Sequence, residues 1–118
     1  IRVDEEVVRP LSPEDAQRLE SLALATIADV AAVCLEDYGK GLVNQAIVDA
    51  VLSEARHRGV PVGLDPKDNI HLRFDGITVA TPNRKEAFAL AHMAESPPAA
   101  DPMKDKPLLQ MAGALIDD

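Results

Sequence analysis

Apolar residues along the chain change their spacing several times, and each change marks a predicted element. Ser12-Pro13-Glu14-Asp15 combines an N-cap residue, a proline suited to the first helical position and acids for the first turn, which predicts a helix to about Ala25. Ala28 to Leu35, with Val30, Val33 and Leu35, is an apolar run too short for a helix, and turn-rich Asp37-Tyr38-Gly39-Lys40-Gly41 follows it. That combination predicts a first strand buried on both faces. From Leu42 onward Val43, Ile47, Ala50, Val51 and Ala55 recur at helical spacing, and Gly59 behind Arg56, His57 and Arg58 is a C-terminal stop. Val60 to Leu64 and Gly76 to Ala80 predict two more strands, closed by Asp65-Pro66 and Thr81-Pro82 because proline cannot continue a ladder. Asn83 to about Met93 predicts a third helix through Ala87, Phe88, Leu90 and Ala91. Residues 95–102, ESPPAADP, break that pattern and predict a flexible linker, after which Lys106 to Ile116 resume it.

Alternation of helix and strand predicts an α/β fold, since parallel strands need helical crossovers that pack back onto an open sheet. A length of 118 residues with 47% hydrophobic side chains suits one compact domain or a piece of one. Charge changes the picture more. A net charge of -8 without clustered cations repels polyanions and argues against a nucleic-acid partner. The apolar stretches fall short of the roughly 20 residues of a membrane-spanning helix. Cys34, the single cysteine, lies in the apolar run AAVCL, so it reads as a small buried hydrophobe with no disulfide partner, and a reducing, cytoplasmic setting is expected. The chain opens in strand-like IRVD and stops right after a helical pattern, as expected of a segment cut from something longer.

In an open parallel sheet, ligands bind outside the carboxyl ends of the strands, where the loops diverge. The three predicted strand ends carry Glu36 to Gly41, Asp65-Pro66-Lys67-Asp68, and Thr81 to Glu86, each with an acid and a lysine. Carboxylates can hold Mg²⁺ directly or through water and lysine can neutralise phosphate, so the set suits phosphoryl transfer. Structural explanations compete with that one. Asn83 and Glu86 have capping-box spacing, Gly39 and Gly41 can serve a turn alone, and no Walker-type glycine loop is present. His57, His71 and His92 are too dispersed for a zinc site and read as surface residues.

Taken in order, AAVCLEDYGKGLV, GVPVGLDPK and FDGITVATPNRKEAFAL resemble the central part of ribokinase-family sugar kinases, most closely the heptose-7-phosphate kinase domain of ADP-heptose synthesis enzymes. IRVDEE resembles the segment that leaves the small β lid of that subfamily, so residues 1–10 are expected to end the lid segment and residues 28–93 to form the parallel core. The resemblance implies a Rossmann-like, three-layer ribokinase-type fold, incomplete here, and an enzyme that uses ATP and Mg²⁺ to phosphorylate a sugar phosphate. It implies that Asn83 and Glu86 organise Mg²⁺ and nucleotide phosphates, with Glu86 acting through metal-bound water. Asp37 then lies near the sugar, and Lys40 and Lys67 lie near phosphate. Two positions depart from the subfamily pattern: Glu36 replaces a small residue, and Asp68 a glycine. The family's downstream GAGD-like loop, with its catalytic aspartate, has no counterpart in these residues, so the 118-residue chain alone is expected to lack useful kinase activity. Other readings remain open, a non-catalytic remnant that binds a partner through a sheet edge and a different ribokinase-family carbohydrate kinase, while an unrelated receiver-like module is disfavoured because the acids expected together at its first strand end are absent. The oligomeric state, a homo-oligomer included, also stays open.

Overall fold

In the computed structural model, which describes residues 3, 5, 8–66 and 72–117, the first helix opens as its leading residues dictate. The Ser12 hydroxyl accepts the Asp15 N–H at 3.1 Å and Pro13 takes the first turn of α1, Pro13–Ile27. Strand β1, Val33–Glu36, follows a turn, and α2, Gln45–Arg58, is capped by Asn44, whose side chain accepts the Ile47 N–H at 3.1 Å. Gly59 ends α2 in the left-handed region at φ 69°. Strands β2, Val62–Asp65, and β3, Val79–Ala80, complete a sheet of order β1-β2-β3 in which both pairs are parallel. Val33 stands opposite Val62 and Glu36 opposite Asp65, while Gly63 pairs with Val79. The α/β class and the parallel sheet with helices on it, as expected from the sequence, are present.

The described residues form two compact units, one of residues up to 66 together with 72–81, the other of residues 82–117. In the first, α1 and α2 pack on the same face of the sheet. Val48, Leu52 and Ala55 of α2 bury Val62, and Ile47 and Val51 meet Ile27 of α1, with Val33 and Leu35 shared between the two clusters. The opposite face carries Cys34, Glu36, Gly63 and Val79. Cys34 is exposed, and Val79 is 58% exposed. This corrects the expectation of a first strand buried on both faces and of a buried Cys34. The reason is register: strand side chains alternate, and α1 and α2 cover the Val33–Leu35 side.

Between β2 and β3 no helix occurs among the described residues; Leu72, Phe74 and Ile77 of the connection pack against the α2 cluster instead. The Thr78 hydroxyl accepts the Val62 N–H at 3.0 Å, so a side chain takes the place of a ladder bond and β3 is shorter than the run Gly76 to Ala80. In the second unit α3, Arg84–Leu90, meets α4, Lys106–Asp117, through Ala87, Phe88 and Met111, and a 3₁₀ turn at Pro102–Lys104 precedes α4. Helix α3 stops before the predicted Met93 because His92 adopts φ 54° and the Met93 N–H reaches back to Phe88 O at 2.9 Å. That is a left-handed cap formed without glycine.

Candidate functional site

Parallel strands put the three carboxyl ends of the first unit on one rim. The Asp37 N–H donates to Asp65 O at 3.3 Å, and the Thr81 N–H donates to Leu64 O at 3.0 Å. The Thr81 hydroxyl lies 3.3 Å from Asp65 Oδ1. The first and second predicted loops, with Thr81 from the third, are therefore brought together. Lys67 and Asp68, predicted beside them, lie outside the described residues.

The turn after β1 is built around Asp37. Its Oδ1 accepts the Gly39 N–H at 2.8 Å, and Gly39 and Gly41 have φ of 65° and 83°. A Cβ on Gly41 would stand 2.6 Å from Arg9 O, so this glycine also admits close approach by the chain that leads into α1. Asp37 is half-buried and Lys40 exposed. Glu36 and Asp65 face each other across the strands, a like-charge pair. The Tyr38 hydroxyl donates to Glu36 Oε2 at 3.3 Å, and the Glu36 charge, then that hydrogen bond, raise the phenol above its ordinary pKa, with smaller contributions from burial and from Asp65.

In the second unit Asn83 and Glu86 form the capping box that their spacing predicts. Asn83 Oδ1 accepts the Glu86 N–H at 3.0 Å, and Glu86 Oε2 accepts the Asn83 N–H at 2.7 Å. Asn83 is exposed, whereas Glu86 is only 6% exposed. One carboxylate oxygen is thus committed to the cap. The donor set fits a Mg²⁺ that keeps water and phosphate oxygens as most of its ligands, because Mg²⁺ is commonly held through one or two carboxylates. It does not fit a dedicated protein cage: among the described residues no three His, Cys, Asp or Glu are grouped to hold a metal. His57 and His92 are exposed, and His71 lies outside the described residues.

Arg84, next to Asn83, makes contacts that sequence reasoning missed. Its Nη1 lies 2.9 Å from Asp105 Oδ2, and its Nε and Nη2 donate to Ser96 O and Oγ, each at 3.0 Å. Asp105 is 3% exposed and accepts the N–H groups of Ala99 and Leu108, each at 3.1 Å. Those two amides hold its carboxyl below the usual range. Burial pushes the other way, and the Arg84 guanidinium adds to the lowering. The only signal available beforehand was the acid just before the last helical pattern, a helix-capping position.

The fold defines an α/β protein with an open parallel sheet and acid-bearing loops at its carboxyl edge. The chain is a relative of the bifunctional HldE proteins, so the resemblance to the heptose-7-phosphate kinase domain of ADP-heptose synthesis enzymes stands. It is 41% identical to the bifunctional protein HldE of Rhodospirillum rubrum over 86 residues, which are 73% of this chain and 17% of that protein. With HldE of Granulibacter bethesdensis it shares 38% identity over 92 residues, 78% of this chain and 19% of that protein. HldE of Methylobacillus flagellatus is 32% identical over 116 residues, 98% of this chain and 22% of that protein. The chain therefore spans about a fifth of the length of the curated relatives it matches. No protein-family model matches it. No helix among the described residues is long and apolar enough to cross a membrane.

Proposed function

We propose that the chain is part of an ATP-dependent sugar kinase of the HldE kind, which phosphorylates D-glycero-D-manno-heptose 7-phosphate at C1 in ADP-heptose and lipopolysaccharide core synthesis. The observation that carries this reading is the Asn83–Glu86 box, a buried carboxylate held beside an exposed amide at a position that matches the family's motif. In the reaction the sugar hydroxyl oxygen bonds to the γ-phosphorus of ATP as the bond to ADP breaks, and the hydroxyl proton leaves to a base outside these residues. Mg²⁺ supplies neutralisation of the phosphate charge. Glu86 would hold that ion through water, Asn83 would set the direction of Glu86 through the cap, and Lys40 and Lys67 would neutralise phosphate. Asp37, whose Oδ1 shapes the Gly39 turn, presents its remaining oxygen to the sugar. The setting is cytoplasmic, and the partners are ATP and a sugar phosphate rather than nucleic acid or membrane. The alternative within the same family is a different ribokinase-type carbohydrate kinase, in which these residues would keep these roles.

A second reading, a binding module without catalysis, is favoured by one observation: among the described residues no strand pairs with the outer edge of β1.

Glu86→Gln in the full-length enzyme separates cap from metal. Glutamine can still close the box, so stability falls by less than about 1 kcal/mol. The lost charge raises the Mg²⁺ concentration needed for half-maximal rate and removes most of the turnover. Unchanged Mg²⁺ dependence, with or without a lower melting temperature, makes Glu86 a cap and nothing more.

A further inference from the structure

Of the two cations between Asn83 and Glu86, Arg84 and Lys85, the first invites assignment as a phosphate ligand because it directly follows Asn83. Its guanidinium points elsewhere. Nε and Nη2 are taken by Ser96, Nη1 by Asp105, and Cζ stands 4.9 Å from the centroid of the buried Phe88 ring. The side chain retains 20% of its exposure, and that of Asp105 only 3%. Asp105 in turn binds the Ala99 and Leu108 amides, so two side chains join the first residue of α3, the coil at 96–99 and the first turn of α4. This matters because α3 has only seven residues, well under the length at which an isolated helix is stable in water. The direction in which its first turn presents Asn83 and Glu86 must come from outside the helix. The Ala87, Phe88 and Met111 core holds the inner side of α3, and the Arg84–Asp105–Ser96 clamp holds its first turn.

We propose that Arg84 and Asp105 are positioning residues for the Asn83–Glu86 site, and that Arg84 is not a phosphate ligand. The inference rests on the Mg²⁺·ATP reading of that site and deepens it. A planar fork bound at three nitrogens cannot be replaced by a point charge, so lysine keeps the cation and loses the clamp. Removing the negative charge at Asp105 has opposite consequences under the two assignments. For a positioning pair, Asp105→Asn loosens the first turn and weakens Mg²⁺ use. For a phosphate ligand, the same change releases Arg84 toward the nucleotide and tightens ATP.

The test measures the Mg²⁺ half-saturation concentration, KM for ATP and kcat in the full-length enzyme for Arg84→Lys, Asp105→Asn, their double variant and Ser96→Ala, with a thermal melt of each. Ser96→Ala removes a single hydrogen bond and guards against variants that fail to fold. The expected result is a rise of about three- to tenfold in Mg²⁺ half-saturation for Arg84→Lys and for Asp105→Asn, little further rise in the double variant, and a smaller rise for Ser96→Ala. A lower KM for ATP in Asp105→Asn, or a loss of ATP affinity confined to Arg84→Lys, overturns the proposal. So does unchanged Mg²⁺ dependence in variants that remain folded. Glu86→Gln serves as the control. If it leaves Mg²⁺ dependence untouched, the underlying site reading fails; if it shifts that dependence while the clamp variants do not, only the present inference fails.

Discussion

At the scale of single residues, Asp105 has its ionisation tied to a specific geometry. The Ala99 and Leu108 amides favour the charged form of Asp105, with Arg84 adding to them against the cost of burial, and its pKa lies below the ordinary value. A folded-state pKa below the unfolded value means that the unfolded chain binds the proton first as pH falls. The contribution of Asp105 to stability is therefore present above the unfolded value of about 3.9 and is lost as pH drops through the folded value. Denaturant unfolding of the wild type and of Asp105→Asn across pH checks this. The gap between the two curves should be constant near neutrality and should narrow below about pH 4. A gap that stays level into acid would mean that the carboxylate is not the stabilising species. Residues of this kind were not legible beforehand, because Arg84 and Asp105 lie 21 positions apart in sequence (105 − 84) and no local pattern links them.

Elements were far more legible, since their signals are local. Ser12-Pro13, Gly59 and the Asn83–Glu86 box are found where caps and stops were expected, because each satisfies backbone groups within its own turn. Boundaries moved where a cap of equal quality lay nearby. The second helix starts at Gln45 rather than Leu42 because the Asn44 side chain reaches the Ile47 N–H. Asn44→Ala should accordingly cost about 1 kcal/mol in chemical denaturation, within the usual range for loss of such a cap. A change below a few tenths of a kcal/mol would show that the first turn of α2 is held by packing alone. The strands were read too long for a different reason. An apolar run marks what is buried, whereas a strand exists only where a neighbour completes its ladder, and the Thr78 hydroxyl interrupts that ladder before Val79.

At the scale of the whole molecule, the outer edge of β1 dominates expected behaviour. Val33 donates to Pro61 O and Asp37 to Asp65 O, so the intervening Cys34 and Glu36 direct their backbone groups away from β2. Beside this edge a groove of about 430 Å³ is lined by Leu19, Leu22, Ala23, Val30 and Leu42, with Leu22 59% and Leu42 51% exposed. A strand edge with no partner among the described residues, beside apolar side chains, favours association, while a net charge of -8 opposes it and is screened by salt. The purified 118-residue chain should self-associate more as salt rises, and Leu22→Glu should reduce that association in sedimentation velocity. A chain that stays monomeric at all salt concentrations would show the edge to be adequately protected. The sequence by itself determined the α/β class, the order of the elements, the Ser12 cap, the Gly59 stop, the Asn83–Glu86 box and the loops at Glu36 to Gly41 and Asp65-Pro66, because each depends on periodicity or on contacts a few residues long. Only the tertiary structure decided which face of β1 is covered, that Cys34 is exposed, that Gly41 must admit Arg9, and that Arg84 turns to Asp105 and Ser96. Those outcomes depend on which distant segments meet, and spacing along a chain does not encode that.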